Sequence, residues 1–253
     1  MNLNDLTIII CSYNQPQILE YALKSLVYHH PDIRFKLLIV ENSTDEIVEN
    51  MLDSHKIPYW INDTGLTTHS PSMSIGLKMI KTKYALMMDS DVLIQKPITK
   101  LLNIFVENNL DLAGTMQGDR GGYTFKNPRI APHFSLINIE NMRKNNIDFH
   151  RQEIVNSTFS QGFFNVDPIQ HKRDGLLVDV GTTFYDEFLA AGLRVADYGK
   201  MDDYIVHVES LSWAEKSSIP QYRALGETRR KAYMDKAIAY ENVDIDGKFD
   251  RWE

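Results

Sequence analysis

Two aspartates separated by one serine follow an apolar stretch in the segment YALMMDSDVLI, residues 84–94. The residues from Tyr84 to Met88 have the composition of a buried strand, and Asp89 and Asp91 come directly after it. In an extended segment both side chains point to the same side, because side chains alternate with a period of two. Two carboxylates about 4 Å apart repel by about 4 kcal/mol at an effective dielectric constant of roughly 20, so something must offset this cost.

A divalent cation with oxygen ligands offsets that repulsion directly. Mg²⁺ or Mn²⁺ held by one or two carboxylates completes its coordination shell with substrate phosphates and water. The alternative is that one aspartate caps the next segment while the other faces solvent, which is the commoner arrangement for such a pair taken alone. The position after a predicted parallel strand favours a site for a metal ion and a diphosphate.

Strand and helix patterns alternate along the first part of the chain. Apolar runs without helical spacing predict strands, and apolar residues at helical spacing predict the helices between them. This alternation is typical of βαβ units, and it predicts an α/β fold with a mainly parallel sheet covered by helices on both faces. The predicted strands lie at 6–11, 35–40, 57–63 and 84–88, and the predicted helices at 18–27, 45–52 and 70–82.

The carboxyl ends of these four strands carry the polar segments CSYN, VENST, NDTG and DSD. In an open parallel sheet such ends meet at one edge, where ligands bind. We therefore expect the four segments to form one site.

The rest of the chain is less regular. It predicts a helix at 99–108, a strand at 110–116, a loop or flap at 117–132, a strand and helix at 133–145, a helix ending at Gly192 with a strand after it, a strand and loop at 204–213 and a helix at 221–240. His29 and His30 are expected on the surface at the end of the first helix. We find no internal repeat or linker and predict one domain, 1–253, with parts 1–110, 111–220 and 221–253.

Composition excludes several classes of protein. A formal net charge of −7 argues against a nucleic-acid partner. The single cysteine, Cys11, lies in an apolar run and forms no internal disulfide, which fits a reducing compartment. No run approaches the roughly 18 apolar residues of a membrane span, and the first residues lack the pattern of a signal peptide. These features predict a cytoplasmic protein without an integral membrane segment, and they leave its oligomeric state open.

Three segments in order, TIIICSYNQPQILEYALKSL, KLLIVENSTDE and SMSIGLKMIKTKYALMMDSDV, resemble the nucleotide-binding half of GT-A fold glycosyltransferases, most closely glycosyltransferase family 2. The resemblance covers about residues 6–110 and is weaker beyond. It implies a UDP- or GDP-linked sugar donor, a Mn²⁺ or Mg²⁺ ion that bridges its diphosphate to the protein, and transfer to the hydroxyl of a glycan or other acceptor, usually with inversion.

The resemblance also implies roles for individual residues. Glu41 stands where the family has an aspartate that accepts a hydrogen bond from the base, and Ser70, Ser72 and Ser74 stand where many members have arginine or asparagine. Asp45 lies in the same motif as Glu41, but its type and position favour capping of the next helix over a binding role. The implied donor-binding residues are Ser12, Tyr13, Asn14, Glu41, Asp63, Gly65 and Asp89, and the implied metal ligands are Asp89, Asp91 and His207. His133 is the alternative to His207.

The general base is expected near the start of a helix, where the segment LLVDVGTTFYDEFLAAGLRV resembles an acidic motif of the family. Asp179 is the candidate base, although it could instead cap the helix. Asp186 and Asp167 are the alternatives. Acceptor contacts are expected from the second half of the chain, where Trp213 could face a sugar. Arg120 could contact phosphate if its Gly-rich segment is a flap over the donor, although the segment could equally be an ordinary surface loop.

Two rival functions remain open. One is a noncatalytic protein that binds sugar nucleotides. The other is a sugar-nucleotide pyrophosphorylase, which has a related architecture but needs a glycine-rich, basic loop after the first strand. The segment CSYNQPQ contains neither glycine nor a basic residue, which argues against this second rival.

Overall fold

The protein is described by a computed structural model covering residues 3–65, 69–117, 129–149, 171–173, 176–178, 181–208 and 220–253. Twelve strands lie in these ranges: β1 (Leu6–Ser12), β2 (Phe35–Glu41), β3 (Tyr59–Ile61), β4 (Tyr84–Met88), β5 (Val92–Ile94), β6 (Leu112–Gln117), β7 (Arg129–Asn138), β8 (His171–Arg173), β9 (Leu176–Val178), β10 (Val195–Asp197), β11 (Ile205–His207) and β12 (Phe249–Arg251). The α-helices there are α1 (Pro16–His29), α2 (Ile47–Ser54), α3 (His69–Met79), α4 (Thr99–Glu107), α5 (Ile139–Lys144), α6 (Thr182–Ala190) and α7 (Pro220–Ala237).

Eight strands form one sheet in the order β10-β6-β7-β4-β1-β2-β12, with β3 also paired to β2. Most neighbours are parallel, and β7 is antiparallel to both β4 and β6. Two small antiparallel pairs, β5 with β11 and β8 with β9, lie outside this sheet. The mainly parallel sheet with its helices confirms the predicted α/β class.

The central strands are apolar on both faces, as parallel strands between two helical layers must be. Ile8 and Ile10 of β1 pack into one hydrophobic cluster with residues of α1, α2 and α4. Ile9, between them, packs into a second cluster with residues of α3, α5 and α6. The strict alternation places one helical layer on each face of the sheet.

Helix α3 packs very closely on the sheet, and Gly76 permits this. A Cβ atom at Gly76 would collide with Ile9 Cδ1 and would lie 2.9 Å from Val40 Cγ2. Any larger residue there would push the helix outward. The close contact fixes α3, whose first residue, His69, lies at the carboxyl edge of the sheet beside Asp89.

Two parts of the sheet differ from the sequence prediction. Strand β7 begins at Arg129, inside the segment predicted as a loop, because pairing with β6 continues past a bulge between Gly114 and Met116. Strand β12 was not predicted, because a three-residue strand with two charged residues has no apolar run. Its pairing with β2 and the burial of the adjoining Trp252 are tertiary effects. The short strands β8 and β9 were also missed.

Helix α7 packs against the small β5–β11 pair. Tyr233 of α7 is fully buried in a cluster with Ile18 and Leu93, and its hydroxyl donates to the carbonyl oxygen of Ile18 at 2.9 Å. The predicted helix at 221–240 ends at Ala237 and continues as a short 3₁₀ turn, Ile238–Tyr240. Within the described ranges, no helix combines the length and the apolar character needed to cross a membrane.

His30 is buried, so the expectation of a surface residue was wrong. Its side chain packs edge to face against Phe35, and its Nε2 accepts a hydrogen bond from the backbone N–H of Ile98 at 3.1 Å, just before α4. Burial, helped by the neighbouring His29, lowers the pKa of His30 to about 4. The folded protein therefore holds this imidazole in the neutral form that can accept a hydrogen bond.

This burial predicts a pH-dependent loss of stability. Above an unfolded pKa of about 6.5 neither state is protonated at His30, whereas between about 6.5 and 4 only the unfolded state gains a proton. The free energy of unfolding should therefore fall by about 2–3 kcal/mol over this range, and less in His30→Gln, which keeps an acceptor without titrating. Urea unfolding from pH 7 to pH 4 measures both slopes, and equal slopes would contradict the prediction.

Candidate active site

The Asp89-Ser90-Asp91 segment forms a tight turn between β4 and β5. The N–H of Asp89 donates to the carbonyl oxygen of His133 at 2.9 Å, which extends the β4–β7 ladder by one residue. The N–H of Val92 then donates to the carbonyl oxygen of Asp89 at 3.2 Å. The sequence predicts an extended segment here, but the turn also brings both carboxylates to one side.

Strand β11 brings a histidine to the two aspartates. His207 pairs with Val92 in the antiparallel β5–β11 ladder. Its Nε2 lies 3.4 Å from Asp91 Oδ1 and 3.7 Å from Asp89 Oδ2. One ligand atom from each of these three residues lies within 4.8 Å of the other two. Asp91 is buried, while the side chain of Asp89 remains 25% exposed.

This donor set fits a divalent cation. Neighbouring ligands of an octahedral ion bound at about 2.1 Å are about 3 Å apart, so the three side chains need only a small contraction. Two carboxylates and an imidazole suit Mn²⁺ and related transition metals, whereas Mg²⁺ prefers an oxygen-only shell. Asp89, Asp91 and His207 could therefore hold such an ion and leave positions for other ligands.

Two further histidines surround the aspartates. His69 Nε2 lies 3.2 Å from Asp89 Oδ1, and the ring of His133 stacks on that of His207. Burial raises the pKa of Asp89, but the hydrogen bond from His69 and the charges of His69, His207 and His133 outweigh it and lower that pKa to about 2. Asp89 is thus held as a carboxylate.

His69 is not among the site residues that the sequence predicts. In the same segment the resemblance concerns Ser70, Ser72 and Ser74, which stand where many family members have arginine or asparagine. The available signal was that the first residue of a helix packed on a parallel sheet lies at the edge that carries the strand ends. Ser72 is instead fully buried, so its side chain lies in the interior and does not line the surface of the site.

The residues expected at the nucleoside end form a second group. The Ser12 hydroxyl donates to one oxygen of Glu41, and the N–H of Ser43 donates to the other at 2.5 Å. Glu41 is buried, and both of its carboxylate oxygens already have protein donors. Asn14, with φ of 52°, donates its N–H to the Ser43 hydroxyl at 2.7 Å. The loops after β1 and β2 are therefore joined by side chains.

Other predicted residues lie around these groups. Tyr13 is half-buried, whereas Asp63 and Gly65 are exposed in the loop after β3. Burial and the negative charges of Asp89 and Glu41 raise the pKa of Cys11 and keep it a thiol. Asp45 accepts a hydrogen bond from the N–H of Ile47 at the start of α2.

A buried amide network lies under the nucleoside end and was not foreseen. Asn42 Oδ1 accepts from Asn62 Nδ2 at 2.8 Å and from the Ser72 hydroxyl at 2.7 Å. Asn42 Nδ2 donates to the carbonyl oxygens of Ser12 at 3.2 Å and Val40 at 3.0 Å. One side chain thus connects β2 with β1, with the loop after β3 and with α3.

Several predicted residues lie outside the described part of the chain, namely Asp179, Asp167, Arg120 and Trp213. The alternative base Asp186 is half-buried on α6. The N-cap of α6 is Gly181, with φ of 86°. A Cβ atom at Gly181 would lie 3.7 Å from the carbonyl oxygen of Ile130 and 3.9 Å from Pro132 Cδ, so α6 begins beside the part of β7 that carries His133.

Comparisons with known proteins agree with this architecture. The family model described as "Glycosyl transferase family 2" matches residues 7–167. No curated protein matches the chain significantly.

Similar solved structures share the fold at low sequence identity. The crystal structure of S. aureus TarS 1-349 in complex with UDP-GlcNAc is 15% identical, with a TM-score of 0.53 over 91% of this chain and 72% of that chain. The crystal structure of the longer S. aureus TarS is 14% identical, with a TM-score of 0.52 over 94% of this chain and 44% of that chain. The structure of mannosyltransferase PcManGT from Pyrobaculum calidifontis in complex with GDP-Man and Mn2+ is 14% identical. Its TM-score is 0.53 over 93% of this chain and 64% of that chain.

The amide network predicts that Asn42→Asp is strongly destabilising. The substitution replaces a donor to two backbone carbonyls with an acceptor, and leaves a carboxylate in a buried position. We expect the free energy of unfolding at pH 7 to fall by about 2–4 kcal/mol. Urea unfolding measures this change, with Asn50→Asp on the exposed side of α2 as the control. Equal losses in the two variants would show that the network contributes nothing specific.

Proposed function

The chain belongs to glycosyl transferase family 2 and has the GT-A fold, and from this we propose that it is a metal-dependent enzyme that transfers a sugar from a UDP- or GDP-linked donor to an acceptor hydroxyl with inversion. The acceptor is a glycan or another molecule with a free hydroxyl. The observation that carries the proposal is the convergence of Asp89, Asp91 and His207 at the carboxyl edge of the sheet.

The three residues are the proposed metal ligands. A bound Mn²⁺ or Mg²⁺ would stabilise the negative charge that develops on the departing nucleoside diphosphate. The protein contributes a fixed arrangement, because β4 and β5 flank the turn that carries both aspartates and His207 lies in the paired strand β11. Asp91 is buried and Asp89 is partly exposed, so we assign Asp89 the additional contact with the donor ribose.

The nucleoside is proposed to bind over the loops after β1, β2 and β3. Ser12, Tyr13 and Asn14 would line it on one side, and Asp63 and Gly65 on the other. Glu41 remains the proposed partner of the base, and because its oxygens already accept from Ser12 and Ser43, it would offer the base a second lone pair of an already fixed carboxylate. TarS is bound to UDP-GlcNAc and PcManGT to GDP-Man, which supports either base in the donor.

Asp179 is the proposed general base. It would accept the proton of the acceptor hydroxyl as that oxygen attacks the sugar. Two observations support this role over helix capping: the N-cap position belongs to Gly181, and α6 begins beside the strand segment that carries His133.

The proposed metal site predicts a donor-induced stabilisation that depends on Mn²⁺. At about 100 times the dissociation constant, UDP-GlcNAc or GDP-Man should raise the melting temperature by about 5–10 °C. Asp91→Asn should abolish this shift without lowering the metal-free melting temperature, because it removes like-charge repulsion. Thermal-shift assays with and without Mn²⁺ measure both effects.

Asp203→Asn is the matched control for that experiment, since Asp203 is exposed and pairs only loosely with Lys96 at 3.6 Å. It should retain the full shift. Identical shifts in wild type and Asp91→Asn would remove Asp91 from the metal site.

The proposed base makes a separate prediction. Asp179→Asn should keep the donor-induced thermal shift, but it should slow Mn²⁺-dependent donor hydrolysis about 10²-fold or more, because water has to lose a proton as it attacks. Nucleotide release measures the rate, and Asp186→Asn and Asp167→Asn test the alternatives. Full activity in Asp179→Asn would exclude it as the base, and binding without any turnover in the wild type would favour a noncatalytic binding protein.

A further inference from the structure

His133 contacts two of the proposed metal ligands through two different chemical groups. Its carbonyl oxygen accepts the N–H of Asp89 at 2.9 Å. Its imidazole ring stacks on the ring of His207 with a centroid separation of 4.2 Å and an angle of 15°. One residue of β7 thus touches both the turn that carries the aspartates and the side chain that completes the group.

His207 needs such a contact. It ends a three-residue strand, and its side chain is 17% exposed, so the pairing of β11 with β5 fixes its backbone but not its ring. Holding a histidine in one rotamer costs side-chain entropy, and metal-binding histidines usually have a second protein contact that sets the ring orientation. The face of His133 supplies a flat contact that leaves Nε2 of His207 directed at Asp89 and Asp91.

The geometry separates this role from direct ligation. Among the described residues, His207 belongs to the group whose possible metal-ligand atoms lie within 4.8 Å of one another, and His133 does not. The backbone of His133 is fixed by the β4–β7 ladder, with Phe134 paired to Met88. His133 is therefore attached to the rigid sheet, whereas His207 belongs to the small pair outside it.

We propose that His133 is a positioning residue whose ring holds His207 in the orientation needed for metal binding, and that it is not itself a ligand. The proposal rests on the metal site of the proposed function. It gives a distinct task to each of the two histidines between which the sequence left the choice open.

Two substitutions distinguish stacking from ligation. His133→Phe keeps a flat ring without nitrogen, and His133→Ala removes the ring. If the ring acts by stacking, the Mn²⁺ dissociation constant of His133→Phe stays within about threefold of wild type and that of His133→Ala rises about tenfold or more. If His133 is a ligand, both variants weaken binding to the same extent. Isothermal titration with Mn²⁺ alone, without donor, measures the constants.

Controls separate the possible failures. The metal-free unfolding free energy of each variant shows whether lost binding follows from lost folding, and His133→Phe carries the test if His133→Ala does not fold. Equal Mn²⁺ affinity in wild type, His133→Phe and His133→Ala would overturn this inference while leaving the metal site intact. Absence of Mn²⁺ binding in wild type, matched by His207→Ala and Asp91→Asn, would instead overturn the proposed function.

Discussion

The repulsion between Asp89 and Asp91 is the constraint around which the site is organised. Both carboxylates follow a strand in which Ala85 to Met88 are buried, so water alone does not screen them. Imidazole groups lie against both carboxylates. His207 lies within 4 Å of both aspartates, and His69 contacts the other carboxylate oxygen of Asp89. These contacts reduce the cost of the charge pair and leave a place where a cation would reduce it further.

Much of the fold of residues 6–110 could be predicted from the sequence, because its signals are local. An apolar run such as Leu6–Cys11 followed by helical spacing indicates a βα unit, and the DSD segment after β4 indicates a polar strand end. The features of the fold that the sequence could not indicate depend on tertiary contacts. The burial of His30 follows from its place between Phe35 and the start of α4, and β12 exists only because β2 offers it an edge.

The residues of the site also differ in whether the sequence could predict them. Asp89 and Asp91 could be found from spacing, since one turn brings them together. His207 and His133 are distant in sequence and meet only through β5–β11 and β4–β7 pairing, so a resemblance could suggest them but could not assign their separate positions. The Asn42 network carries no motif, because a buried asparagine is defined by the four groups that surround it.

The pairing of β12 with β2 has a consequence for how the chain matures. Phe249 pairs with Phe35, so closing this part of the sheet brings together residues more than 200 positions apart, at an entropic cost in loop closure. During synthesis, the amino-terminal half of β2 exposes an unpaired backbone edge until residue 251 has left the ribosome. Such an edge can capture a strand from a neighbouring nascent chain, and chaperone binding at that stage would protect it from aggregation.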